Sequence, residues 1–510
     1  MLEGIMAFIP LGISFTILYW ISLVIYRLYF HPLANIPGPL LARISFLYEW
    51  YYDLVLSGQF RFQLKALHSE YGPIIRINPD QVHINDPEVY DEIYNQTNGR
   101  NVKAKNYAEV FGPYPATIGT QSHELHRTRR SALNVFFSKK SVMDLLPVMK
   151  RPIAVLRQRL LDASKTGETL NMKYMYAAVT LDIINDYCFA RDPYYIHRPD
   201  FGRKNFDDVD SFLSVSILNI HIPWLMRFTY SLPDRVNKIL APAMADILDF
   251  RRDLSRQVEA IRHGEDKAHE NADHRTVFHE LLASDLPPKE IERDRMRDEA
   301  FSLITAGSGT TATVLRNIAY HIAANEPIRR RLHEELCHAI PDPNNLPSLT
   351  TLENLPYLSA VINEGLRLCA PVIHRMTRQF PDKPLTIHGY NLPPGSKISV
   401  TLPLLNENEE IFPEPYTFRP ERWIENASSG SSEKRLDKYL VTFNRGPRMC
   451  LGINLARAEL VLILATVFRE FTFDVSQVRR ERDIDYSHDY IVGAPRGDSP
   501  GILVRVKKVE

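Results

Sequence analysis

The sequence predicts a mainly α-helical protein with small β-sheets behind one N-terminal transmembrane helix, and three observations lead to that class. Gly4 to Tyr26 carries no charged residue, and roughly twenty apolar residues suffice to span a bilayer as a helix. Asp294 to Asn325 and Leu358 to Leu368 show helical apolar periodicity, with Pro327 and Pro371 just beyond their ends. β-rich runs are short and few, at Ile74 to Ile77, Gln81 to Ile84 and Leu385 to Val400.

Composition narrows the partners. Hydrophobic content of 45% and charged content of 24% belong to a globular chain with a large core. Formal net charge is zero and no basic run occurs, which argues against nucleic acid. Cys188, Cys337, Cys369 and Cys450 are scattered without pairing or zinc-like spacing, as in a reducing compartment.

Glu3 precedes the uncharged span, Arg27 follows it, and Tyr19, Trp20, Tyr26 and Tyr29 cluster towards its end. A signal peptide has a shorter apolar region, basic residues before it and a small-residue cleavage site. Residues 1–30 therefore read as a permanent anchor, and basic residues on its C-terminal side place the remainder in the cytosol. Three prolines and a glycine in His31 to Pro39 cannot continue the helix, so residues 31–44 read as a stiff proline-rich hinge. The two runs between 74 and 84, bounded by Gly-Pro and Asn-Pro, read as a hairpin.

His123 to Phe137 reads as a helix with a basic face of His126, Arg127, Arg129 and Arg130. Leu145 to Phe278 is mostly helical in pattern, and polar His263 to Arg275 is an exposed loop. In the helix Asp294 to Asn325, Ala306-Gly-Ser-Gly-Thr310-Thr311 places two glycines in three residues, each costing about 1 kcal/mol relative to alanine. Something there needs a close approach or a local opening. Gly307 to Ala312 also satisfies a Gly-x-Gly-x-x-Ala dinucleotide fingerprint, which would make the chain a nicotinamide-dependent oxidoreductase. That reading requires Phe301 to Thr305 to be a strand, yet no turn precedes Phe301.

Glu364 and Arg367 stand three apart among apolar neighbours, on one helix face where they can pair. Asn426 to Arg435 is a serine-rich surface loop. The sequons at Asn95 and Asn426 face the cytosol on this reading and carry no glycan.

Chemistry concentrates in Phe443-Asn-Arg-Gly-Pro-Arg-Met-Cys450-Leu-Gly452. Gly446 and Pro447 force a turn, and Cys450 arrives where the apolar helix Leu451 to Phe468 begins. Unpaired N–H groups at a helix start favour a thiolate. Gly452 leaves room for something large and flat, Arg448 can hold an acidic group of it, and Phe443 supplies an aromatic wall. A thiolate-ligated haem needs each of these features.

At these residues the sequence resembles the cytochrome P-450 family, whose haem loop is Phe-x-x-Gly-x-Arg-x-Cys-x-Gly. The resemblance covers nearly the whole chain from about residue 31, and parts such as His126 to Asn134 look most like filamentous-fungal members related to trichodiene oxygenase. It implies a haem b cofactor with Cys450 as axial iron ligand, and a propionate contact from Arg130 in a Trp-x-x-x-Arg pattern whose first position is here His126. Ala306 would face the oxygen side of the haem, where Thr310, beside Thr311, matches the threonine that hydrogen-bonds dioxygen. Gly309 stands where the family has an acid, a departure that leaves the proton route to water ordered by Thr310 and Thr311 in the opening made by Gly307 and Gly309. Glu364 and Arg367 would be joined structurally by Arg422 of Pro420-Glu421-Arg422-Trp423. A second propionate contact falls to Arg378, with His374 and Arg375 as rivals.

Motifs converging on one haem imply a single catalytic domain over 45–510, although length alone suggests about three domains. The implied activity is a monooxygenase on the endoplasmic reticulum membrane, single-pass, hydroxylating or epoxidising a lipophilic terpenoid or polyketide scaffold in secondary metabolism. O2 and electrons from a separate NADPH–cytochrome P-450 reductase would drive it, with Lys434, Arg435, Lys438 and Arg445 as docking candidates. A haem-thiolate isomerase or dehydratase needing no reductase, and a non-catalytic haem protein, are the alternatives.

Overall fold

The computed structural model describes residues 2–95, 100–112, 115–191, 193–240, 242–428 and 435–509. Two compact units result, Met1–Ala104 with Arg375–Thr401, and Lys105–His374 with Leu402–Glu510.

The first unit opens with α1 (Leu2–Ile25), continued by a π-helical turn Tyr26–Phe30. Pro10–Phe30 has a mean hydropathy of 1.6 and none of it is packed inside the protein. Among the described residues, this is the one helix long and apolar enough to cross a membrane. The connector behind it is fixed to the sheet. The Arg76 guanidinium donates to the carbonyls of Arg27 (2.8 Å), Leu33 (3.4 Å) and Pro79 (2.7 Å). Gly38 has φ 155°, and a Cβ there would stand 2.4 Å from the Arg76 carbonyl, so only glycine fits.

Five strands follow: β1 (Ile74–Asn78), β2 (Gln81–Ile84), β3 (Val102–Lys103), β4 (Arg378–Gln379) and β5 (Lys397–Ser399). Their order is β1-β2-β5-β4-β3, with β2 and β5 parallel (Val82 opposite Ile398) and the other pairs antiparallel. All of β1 and β2 is buried, the polar Arg76, Asn78, Gln81 and His83 included. The strand-rich segment resolves into a hairpin, Leu385–Ile387 with Tyr390–Leu392, and β5.

In the second unit, α2 (His123–Asn134) is opened by the Ser122 hydroxyl, which accepts from the Leu125 N–H. It ends three residues before Phe137, in a turn where the Phe136 N–H bonds the Leu133 carbonyl. Helix α3 (Met172–Phe189) is apolar on all sides and almost wholly buried, packed along the later helix Arg293–Ala324. Next come α4 (Arg203–Ser216), α5 (Pro242–Arg262) and α6 (Arg293–Ala324). Asn325 ends α6, and its side chain caps the following helix at the Ile328 N–H.

Phe301 to Thr305 lies inside α6. With no strand before Gly307, the dinucleotide-binding alternative is excluded. Helix α7 (Pro356–Leu368) precedes the helix Glu421–Ser428, so Asn426 is helical, and residues 429–434 lie outside the described residues. Helix α8 (Ile453–Glu470) starts two residues later than read, because Gly452 (φ −86°, ψ 15°) is not yet helical. One continuous core joins α3, α6, α7 and α8 to an antiparallel sheet of Thr169–Asn171, Leu503–Lys508 and Phe471–Asp474.

Candidate active site

The cysteine loop is closed by its own backbone. Asn444 (φ 59°) and Gly446 (φ 69°) turn it through left-handed conformations. The Cys450 N–H then bonds the Phe443 carbonyl at 2.8 Å, and the Met449 N–H bonds Gly446 at 3.0 Å. Cys450 is exposed, yet burial pushes its thiol pKa up, with the Gly452 N–H and Arg130 acting the other way. Both facts hold together if the sulfur faces an internal hollow walled by protein. The expected thiolate preference is thus outweighed by burial, since the helix begins beyond Gly452; a bound metal ion would deprotonate the thiol outright. A Cβ on Gly452 would meet nothing within 4 Å. Cys188 and Cys369 are sealed in the core, the latter pushed up to about 12 by burial, and Cys337 sits 3.3 Å from the His333 ring.

An exposed soft sulfur donor, with open space at Gly452, suits a flat metal-bearing group. Cations stand beside it. Arg130 donates to the carbonyls of Met449 (2.8 Å) and Cys450 (3.5 Å) and to Asn134 Oδ1 (2.7 Å). Arg448 donates to the carbonyls of Thr120 and Gln121. His126 is buried one turn before Arg130 on α2, and half-buried Phe443 lies beneath the Arg457 guanidinium.

A cavity of about 540 Å³ opens along one face of α6, with Ala306, Gly309 and Thr310 in its wall. Its other sides come from α3, α4, α5, residues of 107–112 and of the segment 116–119, and Val372, Ile491 and Val492. Glu299 holds that segment in place, accepting from the Thr117 N–H (3.0 Å) and hydroxyl (2.7 Å). The Thr310 hydroxyl donates to the Ala306 carbonyl at 2.9 Å and keeps its acceptor capacity. The two glycines differ. A Cβ on Gly309 would meet nothing within 4 Å, whereas one on Gly307 would stand 3.0 Å from Ile184 of α3. Gly307 therefore permits helix contact, and the opening belongs to Gly309.

Thr311 is buried away from the cavity, turned instead towards Glu459 of α8. Burial pushes the Glu459 carboxyl well above its ordinary range, an effect the Thr311 hydroxyl partly offsets, and neither oxygen makes a hydrogen bond of good geometry. Sequence reasoning missed Glu459 and Glu299. An acid inside the apolar run from Leu455 to Phe468 was the available signal for the first.

Glu364, Arg367 and Arg422 form one buried network. Arg367 clasps Glu364 at 2.7 and 3.0 Å, and Arg422 reaches it at 3.2 Å. Trp423 Nε1 (2.9 Å) and the Arg419 N–H (3.0 Å) also donate to Glu364. The spare donors of Arg367 go to the carbonyls of Asn406 and Pro415.

Among the propionate candidates, His374 bonds Asp489 at 2.9 Å and Arg375 pairs with Glu49. Arg378 lies over the Tyr94 ring at 5.0 Å and, among the described residues, has no carboxylate partner. Of the docking candidates, Arg435 pairs with Asp437, Lys438 lies over Tyr439, Arg445 bonds the Lys438 carbonyl, and Lys434 lies outside the described residues.

The family model for cytochrome P450 matches residues 38–499. A cytochrome P450 monooxygenase of Ascocoryne sarcoides is 38% identical, over 96% of this chain and 97% of that one. The N-acetyltryptophan 6-hydroxylase of Emericella nidulans is 36% identical, over 97% and 96%. Conidiogenone synthase of Penicillium rubens is 35% identical, over 96% and 97%. Similarity of this extent, around a cysteine loop of this geometry, makes the chain a member of the cytochrome P450 family, a monooxygenase whose cofactor is haem b.

Proposed function

We propose that the protein is a membrane-anchored monooxygenase that hydroxylates or epoxidises a lipophilic ring system in secondary metabolism, with residues 45–510 acting as one catalytic domain. The observation that carries this is Cys450, exposed in a loop closed by its own backbone just ahead of α8. Haem b, when bound, supplies the activation of O2 and the insertion of one oxygen atom into a C–H or C=C bond. Cys450 would ligate its iron. Arg130, His126, Arg448 and Arg378 would hold its propionates, and Ala306, Phe443 and Gly452 would wall the space it fills. Glu364, Arg367 and Arg422 are structural.

The cavity volume suits a drug-sized molecule. Relatives that hydroxylate tryptophan and N-acetyltryptophan favour a fused-ring substrate, as does the aromatic lining by Tyr107, Phe111 and Phe301; terpenoid and polyketide scaffolds meet the same demand. Thr310 holds water in the space left by Gly309, and protons reach the reacting end of the cavity through it. Thr311, turned towards Glu459, takes no part in holding that water.

Electrons come from a separate NADPH–cytochrome P450 reductase on the same membrane, docking at Lys434, Arg435, Lys438 and Arg445. The apolar Pro10–Phe30 supports a single span in the endoplasmic reticulum with the catalytic domain in the cytosol. The test is the ferrous–carbonyl spectrum of Cys450→His. Loss of the thiolate-type band with haem retained is expected, and its survival would mean that another residue holds the iron.

A further inference from the structure

The cavity along α6 is walled by several charged side chains, and all but one are answered within the protein. Lys173 pairs with Asp210 at 2.8 Å, Arg191 with Asp253 at 3.7 Å, and Asp298 with Arg251 at 2.5 Å. Arg198 lies over the Tyr195 ring at 4.1 Å. Arg316 also lines the cavity, half-buried, and among the described residues it makes no hydrogen bond, ion pair or ring contact. Its position on α6 continues the stripe of Asp298, Ser302, Thr305, Gly309 and Thr313, three and four residues apart, all of which line the same space.

A guanidinium cannot shed its charge, and its five donors are costly to leave without acceptors in a partly apolar enclosure. Protein groups that merely pack do not arrange this. A planar fork of donors matches a carboxylate in two parallel bonds, which is why arginine recurs wherever that group is recognised.

We propose that Arg316 anchors a carboxylate carried by the substrate, so that the enzyme takes lipophilic acids in preference to neutral lipophiles. This rests on the reading of the cavity as the substrate chamber. Arg316 stands six residues beyond Thr310, about 9 Å along the helix axis at 1.5 Å per residue. The carboxylate is thereby held at one end of the chamber and the reacting carbon at the Thr310 end, a span that favours an acid separated from its oxidation site by a ring system or a short chain. A haem propionate is the other carboxylate within the same chemistry. Cys450, Arg130 and Arg448, which the haem reading uses, are not among the residues lining this cavity.

The experiment is equilibrium dialysis of full-length, haem-loaded, detergent-solubilised protein against dodecanoate, indole-3-propionate and 2-naphthoate, each beside its methyl ester. Wild type, Arg316→Gln and Arg316→Lys are compared, with haem content measured by pyridine haemochromogen. Wild type is expected to hold at least one acid about tenfold more tightly than its ester, as one charge-assisted bidentate contact supports. Arg316→Gln should erase that preference with haem content unchanged, and Arg316→Lys, which keeps the charge but not the two parallel bonds, should retain only part of it. No acid preferred by wild type, or a preference that survives in Arg316→Gln, overturns the proposal. Haem lost from Arg316→Gln with the acid preference intact assigns the carboxylate to the cofactor and equally overturns it. Failure of the chamber reading looks different: bound acid and bound ester then both leave the haem absorption of wild type unperturbed.

Discussion

Two polar regions of the second unit treat charge in opposite ways. Around Glu364, a carboxylate and two guanidiniums are buried together, and each donor or acceptor named above finds a partner inside the protein. Along the cavity wall of α6, Gly309 leaves space, Thr310 keeps acceptor capacity, and Arg316 has no partner among the described residues. Complete networks hold a fold together, because breaking one strands a buried charge. Incomplete ones are completed by something that arrives. Charge alone does not separate structural from functional residues; completeness does.

The sharpest way to break this contrast is Arg367→Ala. Removing one partner of the buried pair should cost about 3–5 kcal/mol, read as a fall in the urea midpoint of the full-length protein. Wild-type stability in that variant would mean that the network is ornamental.

Glu459 lies between the two cases, buried like Glu364 but without good hydrogen bonds. Its folded pKa is raised, so the native state holds a proton that the unfolded chain releases above its ordinary value near 4.3. Stability is therefore fully present below that value and declines as pH rises towards the folded pKa, by about 1.4 kcal/mol per pH unit. Glu459→Gln removes this slope, so the variant should gain on wild type between pH 5 and pH 7 in parallel urea titrations. A constant difference across that range would show that the carboxyl ionises normally.

The glycines give a smaller and opposed pair of effects. Gly309→Ala should stabilise α6 by about 1 kcal/mol, since alanine is the better helix former and the space is open. Gly307→Ala gains the same propensity but presses on Ile184, and overpacking costs about 1–3 kcal/mol. Thermal unfolding should rank Gly309→Ala above wild type and Gly307→Ala at or below it. Equal shifts would dissolve the distinction drawn between them.

Thr310→Val keeps the shape and should cost at most the bond to Ala306, about 0.5–1.5 kcal/mol. Its effect belongs to turnover: product formed per NADPH consumed should fall while peroxide release rises. Unchanged coupling with a substrate that lacks hydroxyl groups would leave Thr310 a packing residue.

What could be seen in the sequence depended on how local the determinant was. The helical fold class and the family were legible because a ten-residue loop and long periodic helices are contiguous. Spacing of three set Glu364 and Arg367 on one face, but the Trp423 indole and the Arg419 N–H that complete the network arrive from another segment. The division of labour between Gly307 and Gly309 hangs on Ile184, a residue of α3 with no marker of its own. Helix α8 began late because Leu451 and Gly452 form a turn ahead of it. Glu459 and Arg316 look ordinary along the chain and acquire meaning only from what faces them across a helix interface or a cavity.

The clamp at Arg76 has a mechanical consequence. One guanidinium grips a carbonyl ahead of the proline-rich segment, at Arg27, one inside it, at Leu33, and a third at Pro79 just beyond its own strand. The segment behind α1 is thus a rigid joint with no swivel in it. If α1 tilts or spins in a lipid bilayer, the torque passes undiminished into β1, and the five-stranded sheet turns with the helix like a blade on its shaft. The lipid environment of a single helix would then set the attitude of that sheet towards the membrane plane.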